Sequence, residues 1–420
     1  MKFSRYQTTV VAILAFLQFT VVLDFMILSP LGALLMKALG VTPAQFGVVV
    51  SAYAFSAAAS GLLTAGFADK FDRKKLLLFF YSGFVLGTFF CGVAPSYWFL
   101  MTARMVTGLF GGVIGSISLA IIADLFPFEA RGRVMGVVMS AFAASQVLGI
   151  PVGLLLSNAF GWHAPFLMIA GVGVLVGVVI FRLLRPIDEH LKKPSTRSAL
   201  PHLLATLARP RYQWGFASTM LLAVGGFMLM PFGSAFSVHN LGISLDKLPV
   251  VYMATGAATI VAGPLMGRVS DAAGKLATYI VGTVFAVALV LLYTQLGVTP
   301  LSLVIALNIA LFLAITARMV SSQALSSAIP EPQDRGAYMS ISSSLQQFAG
   351  GIASSAAGLI VSQTNDGPLQ HYDRLGYVVG GAMIATVFFV YKMNRLVLGS
   401  ARPPAPLTTG VAIATDSPHG

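Results

Sequence analysis

Three ionisable side chains stand where water is scarce. Asp24 is the one acid well inside an apolar stretch, Arg104 the one cation inside the apolar stretches of the first half, and Arg318 the deepest cation of the second half. A charge at bilayer depth costs about 2.5 kcal/mol or more, so such a residue is a functional candidate by default. A buried carboxylate and guanidinium can do two things together. They can neutralise each other as a packing ion pair, or the acid can take up a proton and release the cation. Asp24 lies roughly 10 Å from the outer end of its stretch and Arg104 roughly 9 Å in from the same side, at about 1.5 Å per residue. They are expected in one leaflet, facing or approaching each other. Arg318 is expected to bind an anionic substrate group, to meet a carbonyl cluster, or to snorkel. Gln18, Tyr53, Gln146, Asn308, Gln346 and Gln347 are polar groups within apolar stretches. They either line a cavity or make helix–helix hydrogen bonds.

The elements that hold these residues must be membrane spans. The 420-residue chain is 57% hydrophobic and 10% charged, against about 25% charged residues in a soluble domain. With about 20 apolar residues per span, the first half divides near 9–35, 44–68, 76–93, 98–122, 134–156 and 165–184. The second half divides near 214–238, 250–269, 277–296, 301–325, 337–361 and 377–396. An all-α polytopic protein of about twelve spans follows. The expected units are a six-helix bundle at 1–184, a linker at 185–212 with a short helix lying on the membrane face, a second bundle at 213–397 and a disordered tail at 398–420. The net charge of +12 does not point to nucleic acid, because the cations sit between spans and on alternate sides. Arg5, Lys70, Arg73, Lys74, Lys75, Arg131, Arg133, Lys275, Arg335, Lys392 and Arg395 fall on one side, and only Lys37, Lys247 and Arg374 on the other. This bias places both termini in the cytoplasm. No small-residue cleavage site follows the first apolar run, so a retained first span is expected. The single Cys91 excludes a disulfide within the chain.

Two charge knots punctuate the halves. Ala65-Gly-Phe-Ala-Asp69-Lys-Phe-Asp72-Arg73-Lys-Lys75 follows the second span, and Gly267-Arg-Val-Ser-Asp271-Ala-Ala-Gly274-Lys275 follows the eighth. A carboxylate at a helix C-terminus opposes the helix dipole and must be compensated. Paired junctions at matching places indicate an internal repeat. This pattern resembles the major facilitator superfamily. The second copy carries the whole junction motif; the first has Ala65 and Asp72 where the motif has Gly. Arg104-Met-Val-Thr-Gly108, followed by Gly111, Gly112 and Gly115, together with an acid in span one, resembles the superfamily's drug–proton antiporters. Gly149-Ile-Pro151-Val-Gly153 is a kink site and resembles the fifth-span motif of exporters, with Ile150 where that motif has Gly. Gly161-Trp-His-Ala-Pro-Phe166 is similar to arabinose-efflux-like members. The pentapeptide at Thr102 recurs at Thr316, but about three helical turns out of register with the repeat.

The resemblance implies two pseudo-symmetric six-helix bundles and alternating access. It implies that spans one and four line a central cavity, where Asp24 and Arg104 would couple protons to transport. It also implies a cytoplasmic gate. There Asp69 meets the start of span eleven near Arg335 while Asp124 bridges Arg73. By symmetry Asp271, followed by Lys275, faces Arg131 and Arg133. The expected function is secondary active, proton-coupled export of a small drug-like or sugar-like molecule. Uptake by symport and a non-transporting membrane receptor are the alternatives. No nucleophile motif or metal-ligand spacing appears, so no enzyme activity, no metal and no cofactor beyond the proton are expected. The remaining expectations are a small-molecule substrate, a lipid bilayer as environment, no nucleic acid, a monomer, and the inner membrane of a bacterial cell.

Overall fold

Helices account for nearly all of the chain that the computed structural model describes, which comprises residues 3–64, 70–188, 191, 199–331, 334–363 and 367–400. In the first half α1 (Arg5–Ile27) and α2 (Gly32–Leu39) form span one. They are followed by α3 (Pro43–Thr64), α4 (Arg73–Gly92) and α5 (Tyr97–Leu125). Span five is α6 (Phe128–Ala144), a π-helical turn (Ser145–Gly149) and α7 (Ile150–Phe160), and span six is α8 (Ala164–Leu183). The linker helix is α9 (Ala199–Ala208). Span seven is α10 (Pro210–Leu229), a 3-10 turn (Met230–Phe232) and α11 (Gly233–His239). Then come α12 (Leu248–Ala273), α13 (Lys275–Tyr293), α14 (Leu301–Ala328), α15 (Arg335–Ile360) and α16 (Tyr372–Ser400).

Eleven of these spans are long and apolar enough to cross a membrane, one fewer than expected. The exception is α15, which carries Ser342, Ser343, Ser344, Gln346, Gln347, Ser354 and Ser355. Of these Ser342, Ser344 and Ser354 are buried, and α3 and α10 pack against the helix. The last helix runs through Ser400, so residues 398–400 are helical rather than disordered. The rest of the tail lies outside the described residues.

Local chemistry explains the boundaries. Ser4 and Gln7 form a reciprocal cap that starts α1. Spans one and seven both break in their last third, at Pro30 and Pro231. Pro231 cannot donate to the carbonyl of Phe227 four residues earlier; that carbonyl accepts from Ser354 Oγ on α15 at 3.0 Å instead. Asp72, at a position where the family motif has Gly, is the N-cap of α4 and accepts from Lys75 N at 2.9 Å. Its other oxygen accepts from Ile187 N at 2.9 Å, which ties the start of the linker to the first half.

The helix pairings of the first half recur in the second. The pairs α3–α5, α4–α5, α4–α8, α1–α6 and α1–α8 correspond to α12–α14, α13–α14, α13–α16, α10–α15 and α10–α16. Between the halves, α3 packs on α15, and the π-helical turn with α7 packs on α12. One apolar core, with Leu23, Ile27, Phe46 and Ile150 against Phe232, Phe236, Val251 and Tyr372, joins the halves at the end away from the chain termini. Toward the opposite end the core is divided. Leu14, Leu77, Ile117 and Ile180 belong to the first half alone, and Tyr212, Tyr279, Leu325 and Tyr338 to the second.

Hydrogen bonds between the halves cluster at the joined end. Ser51 Oγ donates to Gly351 O at 2.7 Å, Ser355 Oγ to Ser51 Oγ at 2.8 Å and Ser234 Oγ to Ser29 O at 2.8 Å. Asn158 Nδ2 donates to Leu245 O at 3.0 Å. The molecule is thus closed at one end of its seam. The linker helix docks on the second half: Leu203 is buried with Tyr212 and Tyr338, while Leu204 is 58% exposed. Arg209 pairs with the buried Asp334 at 2.7 Å beside it.

Candidate functional site

Close helix contact assembles the site. A Cβ at Gly108 would collide with the Tyr53 carbonyl oxygen, and one at Gly112 would lie 2.5 Å from Ala57 Cα. A Cβ at Gly87 would stand 2.6 Å from Thr107 Oγ1. These glycines bring the backbones of α3, α4 and α5 together. On the other flank a Cβ at Gly149 would lie 2.6 Å from Leu23 Cδ1 and one at Gly153 2.6 Å from Ile27 Cδ1. Span five therefore grips α1 on either side of Asp24. Pro151 follows directly on the π-helical turn, which changes the helix register.

Four helices meet at Asp24. Arg104 Nη1 donates to Asp24 Oδ2 at 2.7 Å and lies 3.4 Å from the Asp24 backbone oxygen. Thr88 Oγ1 on α4 donates to Asp24 Oδ1 at 3.0 Å. The Arg104 guanidinium carbon is 4.5 Å from the centre of the Tyr53 ring, within cation–π range. Cys91 Sγ lies 3.7 Å from Thr107 Oγ1 one turn along α4. Asp24 is 0% exposed and Arg104 1%, so the pair is sealed from solvent in this conformation. The Nε of Arg104 has no hydrogen-bond partner among the described residues. Beyond Tyr53, Phe25 and Phe227 carry the contact into the second half, with centroid distances of 5.2 Å for Phe25–Tyr53 and 5.7 Å for Phe25–Phe227.

The other candidates scatter. Gln18, Gln146, Gln346 and Gln347 are half-buried and none hydrogen-bonds to the ion pair. Asn308 Nδ2 donates to Tyr293 O–H oxygen at 3.3 Å, joining α14 to α13. Arg318 meets hydroxyls of a neighbouring helix. It is buried between α14 and α13, where Nε donates to Thr283 Oγ1 at 3.1 Å and Nη2 to Tyr279 O–H oxygen at 3.2 Å. Hydroxyls and a ring face solvate it within one half.

Arg73, Asp124, Arg131, Asp271 and Lys275 each make a contact within their own half. Arg73 Nε pairs with Asp124 Oδ2 at 3.2 Å. Asp271 pairs with Lys275 at 3.3 Å instead of facing Arg131 or Arg133. Arg131 donates to Phe126 O at 3.0 Å and Ala123 O at 2.6 Å, which satisfies carbonyls at the end of α5. Arg133 and Arg335 are exposed. The core is divided at this end, and among the described residues Asp271 makes no pair with Arg131 or Arg133. Asp69 lies outside the described residues. Thr88, Cys91 and Thr107 were not among the sequence candidates. A lone hydroxyl or thiol in an apolar span carries no periodic signal, and only the α1–α4–α5 packing gives them a partner.

A sequence model described as Major Facilitator Superfamily matches residues 14–354 and again 215–412. The chain is 24% identical over 386 residues, 92% of its length and 97% of the other's, to an uncharacterized MFS-type transporter, YbcL, of Bacillus subtilis. It is 25% identical to a probable sugar efflux transporter of Helicobacter acinonychis across 55% of this chain and 58% of that one. The crystal structure of a bacterial homolog to the human lysosomal transporter Spinster has the same fold. Its TM-score is 0.76 at 16% identity, over 96% of this chain and 100% of that chain. With its repeated helix pairings, its apolar spans and a family match along most of its length, the chain belongs to the Major Facilitator Superfamily of membrane transporters and is not an enzyme.

Proposed function

We propose that this transporter exports a small drug-like or sugar-like molecule in exchange for protons, by alternating access. The Asp24–Arg104 contact carries the reading: a carboxylate and a guanidinium 2.7 Å apart and both fully buried. In low dielectric their attraction is strong, and so is the cost of separating them as ions. Protonating Asp24 removes that attraction. The Arg104 guanidinium is then free to turn toward the cavity, and α1 is free to shift against α4 and α5. The two halves rock about the seam between α3 and α15, and the proton gradient biases a two-state equilibrium.

The cation bias orients the protein with both termini in the cytoplasm of a bacterial cell, in its inner membrane. The closed end then faces outward and the conformation is inward-open. Asp69, Arg73, Asp124, Asp271, Lys275, Arg131, Arg133 and Arg335 would form the opposite gate after rocking. The unit is a monomer, and protons are the coupling ion. The name of the Helicobacter relative, a probable sugar efflux transporter, supports outward movement.

The test is reconstitution into proteoliposomes with an imposed pH gradient and a panel of monosaccharides and aromatic drugs. Flux of one of these compounds opposite to proton flow is expected, and Asp24→Asn should abolish the pH-driven component. Undiminished pH-driven flux in that variant overturns the coupling role. Flux in the same direction as the protons overturns export in favour of uptake.

A further inference from the structure

Asp24 presents two carboxylate oxygens, and Arg104 occupies only Oδ2. A buried ionised carboxylate needs both oxygens satisfied. Oδ1 is served by Thr88 Oγ1 at 3.0 Å, and the Thr88 side chain is 0% exposed. Gly87, the residue before it, is what lets α4 approach α5 closely enough to place that hydroxyl, since a Cβ there would stand 2.9 Å from Thr107 N. The titratable groups facing Asp24 are Arg104 on α5, Tyr53 on α3 and Cys91 on α4. From span five and α8, the same stretch of α1 receives Gly149, Gly153, Ile150 and Phe166. Among the described residues Thr88 is therefore the neutral group hydrogen-bonded to the carboxylate, and its hydroxyl is able both to donate and to accept.

We propose that Thr88 is a positioning residue for the coupling acid, holding Asp24 Oδ1 as donor while the acid is ionised and as acceptor once Oδ1 carries the proton. In the ionised state the Thr88 O–H points at Oδ1. On protonation the new Oδ1–H donates to Thr88 Oγ1, and the Thr88 hydrogen rotates toward a main-chain carbonyl of the preceding turn, as helical threonines do. No atom is gained or lost apart from the incoming proton. The hydroxyl keeps the unpaired acid in place after Arg104 departs. The inference rests on Asp24 being the proton carrier and adds the residue that governs how readily it is loaded.

The experiment needs no transport substrate. The infrared C=O band of protonated carboxylic acids is titrated in the purified full chain, with the Asp24 component assigned by its loss in Asp24→Asn. Thr88→Val loses a bond in both states, but the hydroxyl's bond to the charged carboxylate is about twice as strong as its bond to the neutral acid, so its removal favours the neutral form. Thr88→Val is thus expected to move the Asp24 midpoint to higher pH by about one unit, a tenfold change in proton affinity. Its C=O band should shift to higher frequency, because one hydrogen bond is gone. Thr88→Ser should restore both. Thr88→Ala, smaller and without branching, should reproduce the valine shift should the valine variant fold poorly. An unchanged midpoint in both Thr88→Val and Thr88→Ala overturns the proposal while leaving the proton-carrier reading intact. A valine shift that serine does not reverse assigns the effect to packing and also overturns it. Absence of any titrating Asp24 band in the wild-type chain removes the proton carrier itself, a separate outcome.

Discussion

The glycines of α5 provide a test with an internal control. A Cβ added at Gly108 would meet the backbone of Tyr53, colliding with its carbonyl oxygen and lying 2.9 Å from its Cα. At Gly112 the new carbon would lie 2.5 Å from Ala57 Cα and 2.6 Å from its carbonyl oxygen. Carbon atoms in contact normally sit about 3.5–4.0 Å apart, so α3 and α5 must separate by about 1 Å to admit a methyl group. Neither neighbour is a rotatable side chain, so no rotamer change relieves the clash. At Gly115, two turns beyond Gly108, an added Cβ finds nothing within 4 Å.

All three Gly→Ala changes share the same gain in helix propensity, about 0.5–1 kcal/mol. Gly108→Ala and Gly112→Ala carry in addition an overpacking cost of about 1–3 kcal/mol. Thermal unfolding of the purified variants in one detergent should therefore place Gly115→Ala at or above wild type and the other two below it. The shift at Gly108 should also displace Tyr53 from Arg104 and weaken the coupling pair. Equal melting temperatures for Gly108→Ala and Gly115→Ala would refute the claim that backbone contact at Gly108 sets the α3–α5 distance.

Two other perturbations address the pair and the seam. Asp24→Asn keeps the shape and strands a buried guanidinium, at a cost of about 3–5 kcal/mol, whereas Asp24→Asn combined with Arg104→Met should recover most of that loss. The same unfolding assay decides it, and a double variant less stable than the single would show that the ion pair does not carry the effect. Ser51 and Ser355 bring their hydroxyl oxygens to 2.8 Å across the halves. In a Cys91→Ser background, oxidising Ser51→Cys with Ser355→Cys should hold the seam shut and stop transport reversibly. Full flux from a completely cross-linked sample would mean that this contact need not open.

Much of the architecture was legible because lipid imposes simple demands. Span boundaries agreed with the helices to within a few residues at Arg73–Gly92, Ala164–Leu183 and Leu301–Ala328. The span least evident by hydropathy, α15, is the one that buries Ser342, Ser344 and Ser354 and packs against α3 and α10. Pro30 interrupts the first apolar run and marks the break there, whereas the break at Pro231 falls inside a run that reads as continuous. The serine that takes up the carbonyl left by Pro231 lies on another helix and could not be read. Arg318 shows the opposite failure. A cation at depth was open to an anionic ligand, a carbonyl cluster or snorkelling, and Tyr279 and Thr283, distant in sequence, supply its hydrogen bonds instead.

The amino-acid sequence by itself determined that this is a helical membrane transporter built as a repeat, and it put Asp24 and Arg104 at a similar distance from the same ends of their spans. Hydrophobic length, charge placement and motif spacing are local quantities, and they suffice for that. Which oxygen of Asp24 meets Arg104, that Thr88 takes the other, that Asp271 stays with Lys275, and which end of the seam is closed were decided only by tertiary structure. Those facts depend on how closely glycine-bearing helices approach and on how one half leans against the other. Both are properties of surfaces brought together by the fold, and neither is carried by any single stretch of chain.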